Sequence, residues 1–142
     1  MSTVGNINCL FIDDHEDEHS LFLYAVQRTG LNVNCECCIS AEEALEKLTK
    51  NGLLPDVIVS DVNMPRMNGF DLLAHLKEDK RFAGIPVYLF STAYTPANVD
   101  LATRLGAAAY YAKLFTMKEH VGVIKMILEP FTGEMKEEDK RT

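Results

Sequence analysis

The sequence contains no tryptophan, so tyrosine and phenylalanine are its only optical reporters. No apolar run approaches the ~18–20 residues that span a bilayer. The stretch from Met1 to Asn8 shows no charged segment followed by an apolar one, so no secretory leader is expected. Cysteine is scarce, with four residues at positions 9, 35, 37 and 38. Three of them crowd into Cys35-Glu36-Cys37-Cys38, a poor spacing for an extracellular disulfide framework. A cytoplasmic chain with free thiols fits better. Structural zinc usually takes two separated pairs of ligands, and there is no second pair, so packing of a strand accounts for the cluster. Positive charge is in deficit. Fourteen Lys and Arg against 21 Asp and Glu leave a net charge of −7, which disfavours direct binding to nucleic acid. No basic amphipathic helix points to a membrane surface. Internal repeats and low-complexity linkers are lacking as well.

What remains is 142 residues, 47% apolar and 25% charged, ordinary for one globular domain with a real core. Short apolar runs alternate with longer amphipathic ones. Cys9 to Ile12 reads as a buried strand that stops at Asp13-Asp14. Glu16 to Thr29 follows helical spacing, and Gly30 ends it. Glu16, Asp17 and Glu18 suit the positive end of that helix, and the flanking His15 and His19 are expected to be exposed. Val33 to Ile39 is the second strand. Ser40-Ala41-Glu42-Glu43 is a capping box for a helix to about Lys50, closed by Asn51-Gly52.

The same alternation continues to the end. Val57 to Ser60 is a strand closed by Asp61, and Gly69 to Lys80 a helix with Leu72, Leu73 and Leu76 on one face. Pro86 to Phe90 is a strand. Thr95-Pro96 caps and starts a helix to about Leu105, and Ala108 to Ala112 is a short strand. Thr116 to Glu119 is a capping box for a last helix, ending near Leu128 before Pro130. Five strands and five helices in strict alternation call for an α/β, doubly wound, five-stranded parallel sheet covered on both faces. One domain is expected over 1–130. The segment 131–142 reads as a short charged tail, because Glu134 to Thr142 carries four acids, three bases and one apolar residue.

In such sheets the ligand site lies beyond the carboxyl ends of the strands. Asp13-Asp14 follows the first strand, Asp61 the third, Ser91-Thr92 the fourth and Lys113 the fifth. Each alone reads as a turn or cap residue. Together they bring three carboxylates, a hydroxyl and an ammonium to one rim. Oxygen ligands suit a hard cation, and Mg²⁺ is the usual choice beside phosphate. The lysine then faces an anion held by that metal.

With Ser60-Asp61-Val62-Asn63-Met64-Pro65-Arg66-Met67-Asn68-Gly69 after the third strand, the chain resembles a two-component response-regulator receiver domain over about residues 7 to 129. The resemblance implies the flavodoxin-like strand order 2-1-3-4-5 and a phosphoacceptor at Asp61, charged from a histidine kinase or histidine phosphotransfer protein. It implies Mg²⁺ bound by Asp14, Asp61 and the Asn63 carbonyl, with Asp13 acting through water. Lys113 contacts the phosphoryl oxygens. The switch hydroxyl falls on Ser91, five residues after Pro86 and 22 before Lys113, with Thr92 the alternative. Tyr110 takes the place of an aromatic that swings inward, while Tyr111 points to the opposite face. The family usually reads Lys-Pro with a cis bond where this chain has Lys113-Leu114. A cis bond before leucine costs about 2.5–4 kcal/mol, so a trans bond is expected.

The chemistry fits these residue types. An ionised Asp61 among other carboxylates needs a cation to offset their repulsion. Phosphoryl transfer needs positioning and charge neutralisation more than covalent help. The expectation is a cytoplasmic, stand-alone switch with at most weak self-phosphorylation and autodephosphorylation, since 12 residues after 130 are too few for an output domain. It would signal to a downstream protein the sequence does not name, and the resemblance implies docking on the face of helix four, strand five and helix five. The rival is a Mg²⁺-dependent phosphohydrolase with an aspartyl-phosphate. Its nucleophile normally ends the first strand as Asp-x-Asp, whereas this strand ends Asp13-Asp14-His15. A flavodoxin-like electron carrier lacks support, because no hydroxyl- and glycine-rich phosphate loop follows the first strand.

Overall fold

The computed structural model describes residues 6–113 and 116–132. The Lys113–Leu114 bond and most of the charged tail lie outside the described residues. The chain alternates β1 (Ile7–Ile12), α1 (Glu16–Thr29), β2 (Val33–Cys38), α2 (Ala41–Lys50), β3 (Val57–Asp61) and α3 (Gly69–Glu78). It continues through β4 (Val87–Ser91), α4 (Pro96–Leu105), β5 (Ala109–Ala112) and α5 (Met117–Leu128), with a closing 3₁₀ turn over Glu129–Phe131. The five strands pair in parallel in the order β2-β1-β3-β4-β5. This is the doubly wound sheet that the alternation of apolar runs requires.

Side chains alternate across each strand, and the two faces build two cores. Leu10 and Ile12 of β1, Ile58 of β3 and Leu89 of β4 pack with Leu48, Leu72, Leu73 and Leu76 under α2, α3 and α4. Ile7, Cys9 and Phe11 of β1 and Val57 and Val59 of β3 pack with Phe22, Val26, Ile124 and Ile127 under α1 and α5. Phe11 and Phe22 stack with ring centroids 3.9 Å apart. Because β1 and β3 are covered on both sides, they read as nearly unbroken apolar runs.

Element ends move by a residue or two, as fraying termini commonly do. β1 starts at Ile7, β2 stops at Cys38 and leaves Ile39 half exposed, and α3 stops at Glu78. The more informative differences concern caps. Ser40 accepts from the Glu43 N–H at 3.0 Å, but Glu43 Oε1 accepts from Ile39 N rather than from Ser40. The expected box is therefore only half made. A complete box opens α5 through Thr116 and Glu119, as expected, and another opens α3 through Asn68 and Asp71.

That second box fixes the start of α3 against the end of β3. Gly69 N donates to Val62 O at 2.9 Å. A Cβ at Gly69 would lie 2.6 Å from the Asp61 carbonyl oxygen and 2.8 Å from the Val62 Cα. Only glycine lets α3 begin this close to the strand that carries Asp61. In the same loop Arg66 adopts a left-handed backbone with φ 67°, an uncommon conformation for a residue with a side chain.

Candidate functional site: an acidic rim with one buried lysine

The carboxyl ends of β1, β3, β4 and β5 bring the expected residues to one rim. Asp13 is fully buried and Asp61 is 3% exposed. Lys113 N donates to Ser91 O at 2.8 Å, which continues the β4–β5 ladder and aims the lysine inward. Its ammonium donates to Asp13 Oδ2 at 2.9 Å and stands 3.2 Å from Asp61 Oδ1. One cation therefore bridges carboxylates from two different strands.

The electrostatics follow from burial and neighbours. Desolvation pushes the Asp61 carboxyl up to about 6, and the negative charges of Asp13 and Asp14 add to the rise, while Lys113 opposes it. For Lys113, burial works against the ammonium. The hydrogen bond to Asp13 and the charges of Asp61 and Asp13 outweigh it, and its pKa lies above the ordinary lysine value. The positive charge is thus secure, and the rim still holds more negative charge than the lysine neutralises.

Asp14 is the third carboxylate, 24% exposed at its side chain. Its Oδ1 is nevertheless buried and has no hydrogen-bond partner. The His15 Nδ1 lies 3.2 Å away, near but outside hydrogen-bonding alignment. One ligand atom from each of Asp13, Asp14 and His15 lies within 4.8 Å of the others.

The hydroxyls part company. Ser91 is buried, and its Oγ accepts from the Ala93 N–H at 2.9 Å, with a long 3.5 Å contact from Asn63 Nδ2. Thr92 is exposed and lines the cleft beside Asp61 and Lys113. Tyr110 is buried and donates to the Ala93 carbonyl at 2.7 Å. Its ring lies between Phe70 and Tyr94, with centroids 6.1 and 5.6 Å away. Tyr111 faces the other core and packs beside Phe90.

Two features were not foreseen. His19 is half-buried rather than exposed, its Nε2 lying 2.7 Å from the Asp13 carbonyl oxygen and its ring edge-on to Phe11. A cleft of about 510 Å³ also runs from Asp61 and Lys113 between α1 and α5, walled by Leu21, Phe90, Met117 and His120. Burial lowers the His120 pKa. Nothing local in the sequence marks these residues, because the wall exists only once α1 packs on α5. For His15 there was a signal: it directly follows the Asp13-Asp14 pair.

A parallel sheet of this order with an acidic rim and a lysine at the end of its fifth strand defines a class. The chain belongs to the response regulator receiver domain family, whose model matches residues 9–125. It is 34% identical over 114 residues to chemotaxis protein CheY1 of Helicobacter pylori (strain ATCC 700392 / 26695), covering 76% of this chain and 91% of that protein. It is 30% identical over 123 residues to the alkaline phosphatase synthesis transcriptional regulatory protein PhoP of Bacillus subtilis (strain 168). That match covers 87% of this chain and about half, 49%, of the relative. The fold is similar to that of the phosphorylated cyanobacterial phytochrome response regulator RcpA, with a TM-score of 0.80 at 22% identity, covering 88% of this chain and 93% of that one.

Receivers are generally signalling switches that interact with a phosphodonor kinase and a downstream target, and they typically bind Mg²⁺ at an acidic pocket. This chain has such a pocket. Among the described residues no helix is long and apolar enough to cross a membrane.

Proposed function

We propose that this chain is a phosphorylation-controlled switch of a two-component phosphorelay, in which Asp61 accepts a phosphoryl group from a phosphohistidine. The donor is a histidine kinase or a histidine phosphotransfer protein, and the setting is the cytoplasm. The observation that carries the proposal is the Lys113 ammonium held between Asp13 and Asp61, 3.2 Å from the Asp61 oxygen. Transfer joins an Asp61 carboxylate oxygen to phosphorus as the imidazole–phosphorus bond breaks. Lys113 then meets a phosphoryl oxygen where it now meets the carboxylate. Because such transfer depends on positioning and charge neutralisation, buried donors of fixed geometry are what the receiver must supply.

The residues present fit a divalent cation. Asp14 Oδ1 is buried and unpartnered, and Asp61 is pushed up first by burial and then by the charges of Asp13 and Asp14, so a cation among these hard oxygen donors would relieve both. Asp14, Asp61 and the Asn63 carbonyl would hold Mg²⁺, with Asp13 helping through water. The ion supplies charge neutralisation for the incoming phosphoryl oxygens. Ser91 is the proposed switch hydroxyl, with the exposed Thr92 its less favoured neighbour, and Tyr110 the aromatic that reports its position. The domain is taken to span 1–130, with 131–142 a tail. The face of α4, β5 and α5 carries exposed Tyr94 and Met126 and is the proposed docking surface. Any self-phosphorylation or autodephosphorylation is weak.

The test is incubation with Mg²⁺ and a small-molecule phosphodonor, followed by mapping of the modified residue by mass spectrometry. One phosphoryl group on Asp61 is expected, and none on the Asp61→Asn chain. Labelling of the Asn variant to the wild-type level sinks the assignment. Steady release of phosphate from monoester substrates would favour the phosphohydrolase instead.

A further inference from the structure

Beside the carboxylates stands a nitrogen donor that phosphoryl transfer leaves unused. His15 occupies the N-cap of α1, where a Ser, Thr, Asp or Asn side chain ordinarily accepts from the first helical N–H groups. The imidazole makes no such cap. Burial does not hold it either, since its side chain is 70% exposed. What fixes it is the backbone: His15 N donates to Asp13 Oδ1 at 3.0 Å. The turn brings Nδ1 to 3.4 Å from Asp13 Oδ1 and 3.2 Å from Asp14 Oδ1. The latter is the buried oxygen without a hydrogen-bond partner.

Ligand atoms on one small divalent ion lie about 2.0–2.2 Å from it, so two of them stand at most about 4.4 Å apart. The Asp13, Asp14 and His15 atoms are grouped on nearly that scale. His19 is not a second such donor, because its Nε2 already meets the Asp13 carbonyl oxygen at 2.7 Å. We propose that His15 Nδ1 is a ligand of the divalent cation in this chain, and that it shifts the acidic pocket toward ions that favour nitrogen over Mg²⁺. The inference rests on the metal-binding pocket described under the proposed function.

The chemical reason is donor preference. Mg²⁺ takes oxygen ligands and keeps several waters, so exchanging a water for an imidazole gains it little. Ni²⁺ and Zn²⁺ gain much from the same exchange. A neutral ring also adds no charge to the field that already burdens Asp61. The nitrogen therefore changes which ion is preferred without changing the charge the pocket must balance.

The experiment titrates Ni²⁺ and Mg²⁺ into the full chain by calorimetry, as wild type, His15→Ala and Asp14→Ala, and reads nitrogen coupling to bound Mn²⁺ by pulsed electron paramagnetic resonance. Loss of an outer partner of a metal ligand already weakens binding about 10–100-fold. His15→Ala should therefore lower Ni²⁺ affinity at least about tenfold, lower Mg²⁺ affinity far less, and remove the imidazole nitrogen signal from bound Mn²⁺. The exposed ring makes no cap, so the variant should fold. If Asp14→Ala weakens Mg²⁺ but His15→Ala leaves Ni²⁺ affinity intact and wild-type Mn²⁺ shows no nitrogen coupling, the role of His15 is overturned while the pocket stands. If Asp14→Ala weakens neither ion, the pocket itself falls, and His15 with it.

Discussion

The Tyr110 hydroxyl reaches Ser91 through a single residue. It donates to the Ala93 carbonyl at 2.7 Å, and the Ala93 N–H donates to Ser91 Oγ at 2.9 Å. The loop after β4 is thereby tied at one point to both the proposed switch hydroxyl and the buried aromatic of β5. A move of Ser91 toward a phosphoryl group on Asp61 would have to break or drag this link, which is how a change at the rim can reach the α4–β5 face.

Removing the hydroxyl alone tests the link. Tyr110→Phe keeps the ring between Phe70 and Tyr94 and loses one hydrogen bond, so it should destabilise the fold by about 0.5–1.5 kcal/mol. Urea denaturation followed by circular dichroism measures this. Labelling of Asp61 by a small phosphodonor should persist. A variant as stable as wild type would show that the bond to Ala93 contributes nothing net.

The raised Asp61 pKa makes a statement about stability and pH. The carboxyl moves from an ordinary 3.8 to about 6 in the fold. Between those values the folded chain holds a proton that the unfolded chain has released, so stability falls as pH rises through that window. Above about 6 the full penalty is present, on the order of 1–3 kcal/mol. In Mg²⁺-free buffer Asp61→Asn should therefore gain stability relative to wild type at pH 7.5 and gain little at pH 4. Paired melting curves at the two values check it, and an equal gain at both contradicts it.

Lys113 is the only ammonium bridging these carboxylates among the described residues. Lys113→Met keeps the length of the stem and leaves Asp13 and Asp61 without their cation. Breaking a buried pair costs about 3–5 kcal/mol. With the lysine side chain 22% exposed, a loss nearer about 1–3 kcal/mol at pH 7 is expected. Loss of the cation removes what opposes the rise at Asp61, so the deficit should shrink as pH falls and a proton takes its place. Added Mg²⁺ should recover part of it. Chemical denaturation at pH 5 and pH 7, with and without the ion, is the measurement.

Gly69 sets the distance between α3 and the strand that carries Asp61. Gly69→Ala places a methyl 2.6 Å from a backbone oxygen, and neither α3 nor β3 can yield cheaply. A loss of about 1–3 kcal/mol is expected from the overpacking. Slower labelling of Asp61 should accompany it, because the end of β3 must shift. Rates with a small phosphodonor, taken under conditions where the variant is fully folded, separate the two effects.

Much of this was legible because it is written locally. The apolar runs of β1 and β3, covered on both faces, announce a parallel sheet, and Gly30, Thr95-Pro96 and Thr116–Glu119 mark helix ends by their own chemistry. Asp13, Asp14, Asp61, the Ser91-Thr92 pair and Lys113 were legible for the same reason. Each stands where a strand stops, and all parallel strands of one sheet stop on the same side. The box at Asn68–Asp71 was readable too, as the same signal with an asparagine.

Tertiary structure decided what depends on distance between segments remote in sequence. Asp13 and Lys113 are 100 residues apart, and only the β1-β3-β4-β5 order brings their charges to 2.9 Å. Burial then determines which groups matter. It raises the Asp61 carboxyl, strands one oxygen of Asp14, and draws Ser91 inward while its neighbour Thr92 stays in the cleft. The alternation of residue types determined the sheet and its rim. The strength of each interaction on that rim came from water being excluded there, and that is a property of the packed molecule.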